Sequence, residues 1–365
     1  MNKRFSLYLD LLRLVAAILV VISHFCQHGF VSPAVRAFLP EMGREAVVLF
    51  FVLSGFVIAY STTDKAVDLR QYVVARCARI YSVAAPILLL AFLLGLALYW
   101  YAPSGKLDFQ IARFYLYLPS HLLFTGELWN LSLTPPLLGS YWSLGFEVWY
   151  YVLFGAAFYA RGWWRALLCA AILLVMGHKL WLLLPVWLSG AYLYSCQKRL
   201  PIGPIGARIG CLLTICALFA FKAFGAGDYL RALGGAVWPF PGLRLGSADR
   251  YLADYAVCVI VYAHFVFARQ ADLAILEWVQ KPVRAVAAYT FTLYLVHPLV
   301  MAMWKALYVH DNTSAWDIGA LAACIGLVSY LLGFVTEHRK RWFQGLFDGI
   351  IDVVLCMPGR VRALR

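Results

Sequence analysis

Arg13 and His24 stand eleven residues apart in "RLVAAILVVISHF", a stretch otherwise apolar or small. Eleven steps of an α-helix make about three turns, so both side chains share one face, ~16 Å apart along the axis. Asp10 lies one turn before Arg13 on nearly the same face. Ionisable groups within a lipid-length segment are costly unless they meet protein or a cavity. Taken singly, Arg13 could reach the inner interface and His24 could satisfy one buried hydrogen bond. Together on one face they favour a functional seam.

Two further ionisable groups are expected near the depth of His24. Glu147 sits in "SYWSLGFEVWYY" and His297 in "YTFTLYLVHPLV". Counting along the helix rise puts His24 ~21 Å and His297 ~20 Å above the inner end of their spans, and Glu147 ~8 Å below the outer surface. In a core of about 30 Å all three fall in the outer third. A carboxylate and two imidazoles at one level suit general acid–base chemistry; the structural alternative is a Glu–His pair binding helices together. Pro298 beside His297 marks a kink. On the inner side, Arg76 and Arg79 lie one turn apart in "RCARIY". Two guanidiniums on one helical face suit bidentate phosphate contacts, or anchoring at the inner interface.

These residues need helices in a bilayer to carry them. Hydrophobic residues make up 63% of the 365, charged residues 13%, and mean hydropathy is +0.76. That leaves too little polar surface for a soluble domain. The apolar runs do not alternate, so a membrane barrel is excluded and an all-α polytopic bundle is expected. About ten spans are read, near 10–28, 45–61, 80–101, 142–160, 164–177, 179–196, 209–225, 251–268, 285–305 and 316–336. Basic residues favour one set of span ends by about two to one, which places both termini in the cytoplasm. The net charge of +13 thereby reads as topology and not as nucleic-acid binding. No signal-peptide cleavage site is evident, so the first span is expected to be retained.

The nine cysteines form no C-x-x-C pair and read as small buried hydrophobes. Two long outer loops, about 102–141 and 226–250, are rich in aromatics and read as ordered. Residues 342–365 form a short amphipathic and basic tail suited to the inner leaflet. Ser54 in "LSGF" lacks a G-x-S-x-G context, so close helix packing is favoured over a nucleophile.

In order and spacing the chain resembles the acyltransferase-3 family of integral-membrane O-acyltransferases. The resemblance rests on Arg13 with His24, on "LFFVLSGFVIAY" (49–60), on Arg76 with Arg79, on "YWSLGFEVWYY" (141–151) and on "YTFTLYLVHPLV" (289–300). It implies an acyltransferase domain over 1–341 in a bacterial inner membrane. It implies acyl-CoA, by default acetyl-CoA, as cytoplasmic donor, and a hydroxyl of a cell-surface or exported carbohydrate or glycolipid as acceptor. Arg13 and His24 carry over as functionally essential, Arg76 and Arg79 as a coenzyme-phosphate site, and Glu147 as the acid of the W-S-L-x-x-E segment. Trp142, Ser143, Tyr294 and His297, inside the matching segments, are expected to support the site. Many members have an acid directly before "LFFVLSG"; here that place holds Val48, and Glu45, one turn earlier on the same face, is the candidate substitute. Some members carry a further SGNH-type esterase domain, which is not expected here.

The leading expectation is therefore an enzyme without metal. Arg76, Arg79 and Arg13 hold the coenzyme, His24 is general base on the acceptor hydroxyl, and Glu147 orients His24. A transporter or flippase for a polar or lipid-linked substrate would also explain intramembrane charges, but it predicts an inverted repeat, and none is visible. A polysaccharide polymerase or ligase would carry a larger, Arg-rich outer loop.

Overall fold

The computed structural model describes residues 3–101, 109–196 and 202–356. Of the cations that set the expected orientation, Lys106, Lys198, Arg199, Arg360, Arg362 and Arg365 lie outside the described residues, as does the end of the tail, 357–365. Among the described residues there is no strand. The helices are α1 (Lys3–Gln27), α2 (Pro33–Arg36), α3 (Gly43–Thr63), α4 (Leu69–Tyr101), α5 (Phe109–Ala112), α6 (Phe114–Leu122), α7 (Trp142–Tyr159) and α8 (Gly162–Met176). They continue as α9 (His178–Ser195), α10 (Pro204–Ala223), α11 (Ala226–Val237), α12 (Tyr251–Ala268), α13 (Gln280–Ala287), α14 (Thr290–Leu307), α15 (Ala315–Val335) and α16 (Lys340–Cys356).

A helix stands at each of the ten expected apolar runs. Among the described residues six helical stretches are long and apolar enough to cross a membrane: α1, α3, α4, α10, α12 and Ala315–Val353; a bent pair, Ala274–Ala287 with Thr290–Leu307 at 49°, is a seventh if it counts as one span. That is fewer than the ten expected. The 15 residues of α8 are short for a span. α7 is diluted by Glu147 and its aromatic rings, and α9 by His178 and Lys179.

The closest helix contact is α3 against α9. A methyl group at Gly190 would sit 1.8 Å from the Val52 carbonyl oxygen, and one at Gly55 would sit 2.1 Å from that of Trp187. Only glycine lets these backbones approach so closely. "LSGF" thus divides its labour: Gly55 makes the contact, and Ser54 is left to hydrogen-bond.

The segment 123–141 folds down into the bundle. The Trp149 indole, two turns into α7, donates to the Phe124 carbonyl at 3.0 Å, and the Tyr141 hydroxyl donates to the His121 carbonyl at 2.9 Å. A buried ion pair fastens this segment, with Lys179 Nζ 2.8 Å from Glu127 Oε2. Lys179 also donates to Ser132 Oγ at 3.0 Å, and Ser247 of the second outer loop donates to Glu127 at 2.6 Å. Burial raises the Glu127 carboxyl above its ordinary range, and Lys179 and Ser247 draw it back down. At the opposite end α16 lies along α4. Arg70 pairs with Asp348 at 3.2 Å and Asp352 at 2.7 Å, and the Tyr81 and Phe347 rings meet at 5.6 Å. This part of the tail, expected on the leaflet, is docked on the bundle.

Gly190→Ala is expected to lower stability by about 1–3 kcal/mol through overpacking of α3 on α9. Gly319→Ala, where nothing lies within 4 Å, is the control. Thermal unfolding in detergent measures both; equal midpoints would show that the α3–α9 approach is not a tight one.

Candidate active site

α1, α7 and α14 carry polar side chains into the bundle, where two cavities open. The proximal cavity lies toward the start of α1. It encloses about 730 Å³, including its open mouth, and is lined by Arg13, Ser54, Arg76, Arg79, Glu147 and Tyr151 among others. The distal cavity lies toward the end of α1. It encloses about 1210 Å³, also partly open, and is lined by His24, His28, Phe30, Pro136, Pro298 and Lys305 among others. Helix periodicity explains the division. Arg13 and His24 share a face of α1, but three turns put them in different chambers.

In the proximal cavity three guanidiniums face one carboxylate. Arg13 pairs with Asp10 at 3.5 Å, and Asp10 is also 4.0 Å from Arg284. The Arg76 guanidinium stands 5.9 Å from the Tyr151 ring centre, and its buried Nε has no hydrogen-bond partner among the described residues. A buried donor left unpaired is costly, so this nitrogen calls for an acceptor that enters the cavity. Glu147 accepts from Ser54 Oγ at 2.7 Å and from the Tyr151 hydroxyl. The Trp187 indole donates to Ser54 at 3.2 Å. Ser54 is therefore a hydrogen-bond node that holds Glu147 in place.

At the edge of the distal cavity His297, fully buried, meets His24 across helices: His297 Nε2 lies 2.8 Å from His24 Nδ1. His297 Nδ1 is 2.9 Å from the Leu293 carbonyl, which can only accept. So Nδ1 carries the proton of a neutral His297, and its Nε2 accepts from His24 Nδ1–H. That leaves His24 Nε2 as a bare acceptor. Ser140 Oγ lies 3.4 Å from His297 Nε2.

Glu147 and His24 are not brought together. The sequence places Glu147 at the level of the two histidines, but Ser140 already stands at that level, in the 3-10 turn before α7. Glu147 follows seven residues later, ~10 Å deeper along the helix. The cause is the descent of segment 123–141, which starts α7 inside the bundle. The partner of His24 is His297.

The remaining expected residues divide similarly. Ser143 and Tyr294 line the proximal cavity and hydrogen-bond each other at 2.6 Å. Trp142 lies beneath the Arg44 guanidinium at 4.8 Å, and Arg44 is bound to Asp254 at 2.5 Å; both belong to the scaffold beside the site. Glu45 is buried 3.6 Å from Lys222 and lines neither cavity. Residues not singled out from sequence join the site. Tyr151 was legible as the i+4 neighbour of Glu147. Glu337 accepts from Thr292 at 2.8 Å and stands within electrostatic range of Arg79 and Arg13. Lys340 stands within range of Arg79, Arg76 and Lys65. Its place in a basic run at a helix end reads as a topology signal, and that hid it. Among the described residues no group of three or more His, Cys, Asp or Glu is placed to hold a metal ion.

A family model described as an acyltransferase domain, acyltransferase-3, matches residues 6–338. No curated protein and no solved structure matches the chain.

The proximal cavity should bind a polyphosphate. Inorganic pyrophosphate is expected to raise the thermal midpoint of the detergent-solubilised protein. Arg76→Gln and Arg79→Gln should each weaken that binding about tenfold or more, since a charge-assisted contact is worth roughly 1.5–3 kcal/mol. Unchanged pyrophosphate affinity in both variants would return these arginines to plain interfacial anchoring.

Proposed function

The chain belongs to the acyltransferase-3 family, and from that premise we propose that it moves an acyl group, acetyl by family default, from cytoplasmic acyl-CoA to a hydroxyl of a cell-surface or exported carbohydrate. The coenzyme's phosphates bind Arg76 and Arg79, with Arg13 above them, and the pantetheine arm rises toward His24. A pantetheine arm is comparable in length with the ~16 Å between Arg13 and His24 along α1. The acceptor hydroxyl comes from the distal cavity, on the external side.

The observation that carries this reading is the His24–His297 pair, which leaves His24 Nε2 bare at the wall of one cavity while Arg13 of the same helix lines the other with Arg76 and Arg79. His24 Nε2 takes the hydroxyl proton as the acceptor oxygen bonds to the thioester carbonyl carbon. The carbonyl π pair moves onto oxygen. When it returns, the C–S bond breaks and the thiolate leaves with the proton from His24. His297 serves through His24: its Nε2 accepts the Nδ1 proton and holds the imidazole in the base-competent tautomer, the orienting role of the third member of a triad. Glu147, held by Ser54 and Tyr151, offsets part of the guanidiniums' charge. The transfer places chemistry inside the bilayer, where the donor and acceptor never share one aqueous phase.

The test is release of coenzyme thiol from acetyl-CoA by the purified protein, with maltotriose as the hydroxyl probe. His24→Ala is expected to lose turnover by at least ~10², the lower range for a general base, and still gain thermal stability from acetyl-CoA. His297→Phe, which takes away the acceptor for His24 Nδ1–H, should fall between it and the parent. A protein that neither binds nor consumes acetyl-CoA, yet carries a solute across proteoliposomes, would be a transporter instead.

A further inference from the structure

The two cavities are lined by successive stretches of the same helices. On α14 the lining runs from Thr290 and Tyr294 in the proximal cavity to Pro298, Met301 and Lys305 in the distal one. Successive steps of three or four residues keep this stripe on one face. On α7 and the turn before it, the stripe runs from Glu147 and Ser143 to Gly139. At the end of the proximal lining nearest the distal cavity, the two stripes close on each other through the 2.6 Å hydrogen bond of Ser143 Oγ and the Tyr294 hydroxyl, both buried. The His24–His297 pair lies just beyond: the Tyr294 and His297 rings are 6.2 Å apart, and Ser140 touches both His297 and Ser143.

The donor order in this layer is set by its carbonyl. Ser143 Oγ lies 3.3 Å from the Ser140 carbonyl, which can only accept, so the Ser143 proton points there. The Tyr294 hydroxyl then gives its proton to Ser143 Oγ. Tyr294 can therefore exchange one acceptor for another without stranding its partner, since Ser143 keeps its bond to Ser140. A thioester that rises from the arginines toward His24 meets this hydroxyl first. The step above also leaves one charge without a stated partner, the carbonyl oxygen on which the π pair collects. In a buried site an oxyanion without a hydrogen-bond donor is costly.

We propose that the Ser143–Tyr294 hydrogen bond is the partition between the donor and acceptor chambers, and that Tyr294, released from Ser143 by the incoming thioester, turns its O–H to hydrogen-bond the carbonyl oxygen as the oxyanion forms. This rests on the acyl-transfer reading and adds to it a catalytic residue that no other observation assigns. Acceptor attack puts the electron pair on that oxygen; the Tyr294 O–H hydrogen-bonds it without giving up its proton. Collapse restores the C=O, expels the thiolate and lets Tyr294 return to Ser143. One hydroxyl thus closes the path at rest and stabilises the charge when the path is used.

Tyr294→Phe is expected to lower kcat with acetyl-CoA by about 10²–10³, the range for losing one oxyanion donor, and to change the acetyl-CoA KM by less than about threefold. With fluoroacetyl-CoA, whose electron-withdrawing group steadies the oxyanion, the same substitution should cost distinctly less. His24→Ala should cost as much with one donor as with the other. A merely structural tyrosine would show equal losses with both donors, and that result overturns the proposal, as does Tyr294→Phe with near-parental kcat. In either case the His24→Ala loss leaves the acyl-transfer reading standing; a parent protein that consumes no acetyl-CoA removes both. If Tyr294→Phe does not fold, Ser143→Ala carries the test. Without its resting partner Tyr294 is free for the thioester, and the acetyl-CoA KM should fall about fivefold, one ordinary hydrogen bond's worth. An unchanged or higher KM there would overturn the partition.

Discussion

The 2.8 Å hydrogen bond between His24 and His297 joins α1 to α14 beside the distal cavity. Each imidazole within a bilayer-length helix needs a partner, because lipid offers none and an unpaired ring nitrogen there is costly. The pair meets that need with a direction. The Leu293 carbonyl anchors one end, so both protons point one way and a single bare nitrogen remains, on His24. Pro298 follows His297 directly and withholds an amide from the carbonyl one turn back, which loosens the helix where the ring must reach outward. The same contact thus packs α1 on α14 and sets the tautomer of His24.

The arginines pose the opposite problem. Three guanidiniums in one chamber repel each other, and one carboxylate does not neutralise them. The protein supports them with Tyr151, with Asp10 beside Arg13 and with Glu337 from the far end of the domain, yet Arg76 Nε has no partner among the described residues. A site left short of negative charge is preorganised for an anion, because the cost of assembling the cations is met during folding and not at binding. A bundle of aromatic and small side chains supplies the stiffness to hold them. The mutual approach at Gly55 and Gly190 fixes α3 on α9, and α3 in turn presents Ser54 to Glu147.

Much of this was legible in the residues themselves. The apolar runs determined an all-helical membrane protein, and the 3.6-residue period put Arg13 on the same face as His24 and Arg76 on the same face as Arg79. The order and spacing of the motifs carried the family. All of these are local properties: within one helix, sequence separation converts directly to angle and depth. Relative depth between helices is not local. Glu147 reads as level with His24 only if α7 begins at the membrane surface. The buried latch of Glu127 and Lys179 and the hydrogen bond from Trp149 to Phe124 draw segment 123–141 inward and start α7 lower. Tertiary structure alone therefore decided that His24 is paired with His297, that Glu147 belongs with Ser54 and the arginines, and that Glu337 and Lys340, more than 250 residues along the chain from Arg76 and Arg79, stand beside them. Long-range placement of this kind depends on how loops pack over the helix ends, and helical periodicity carries no record of it.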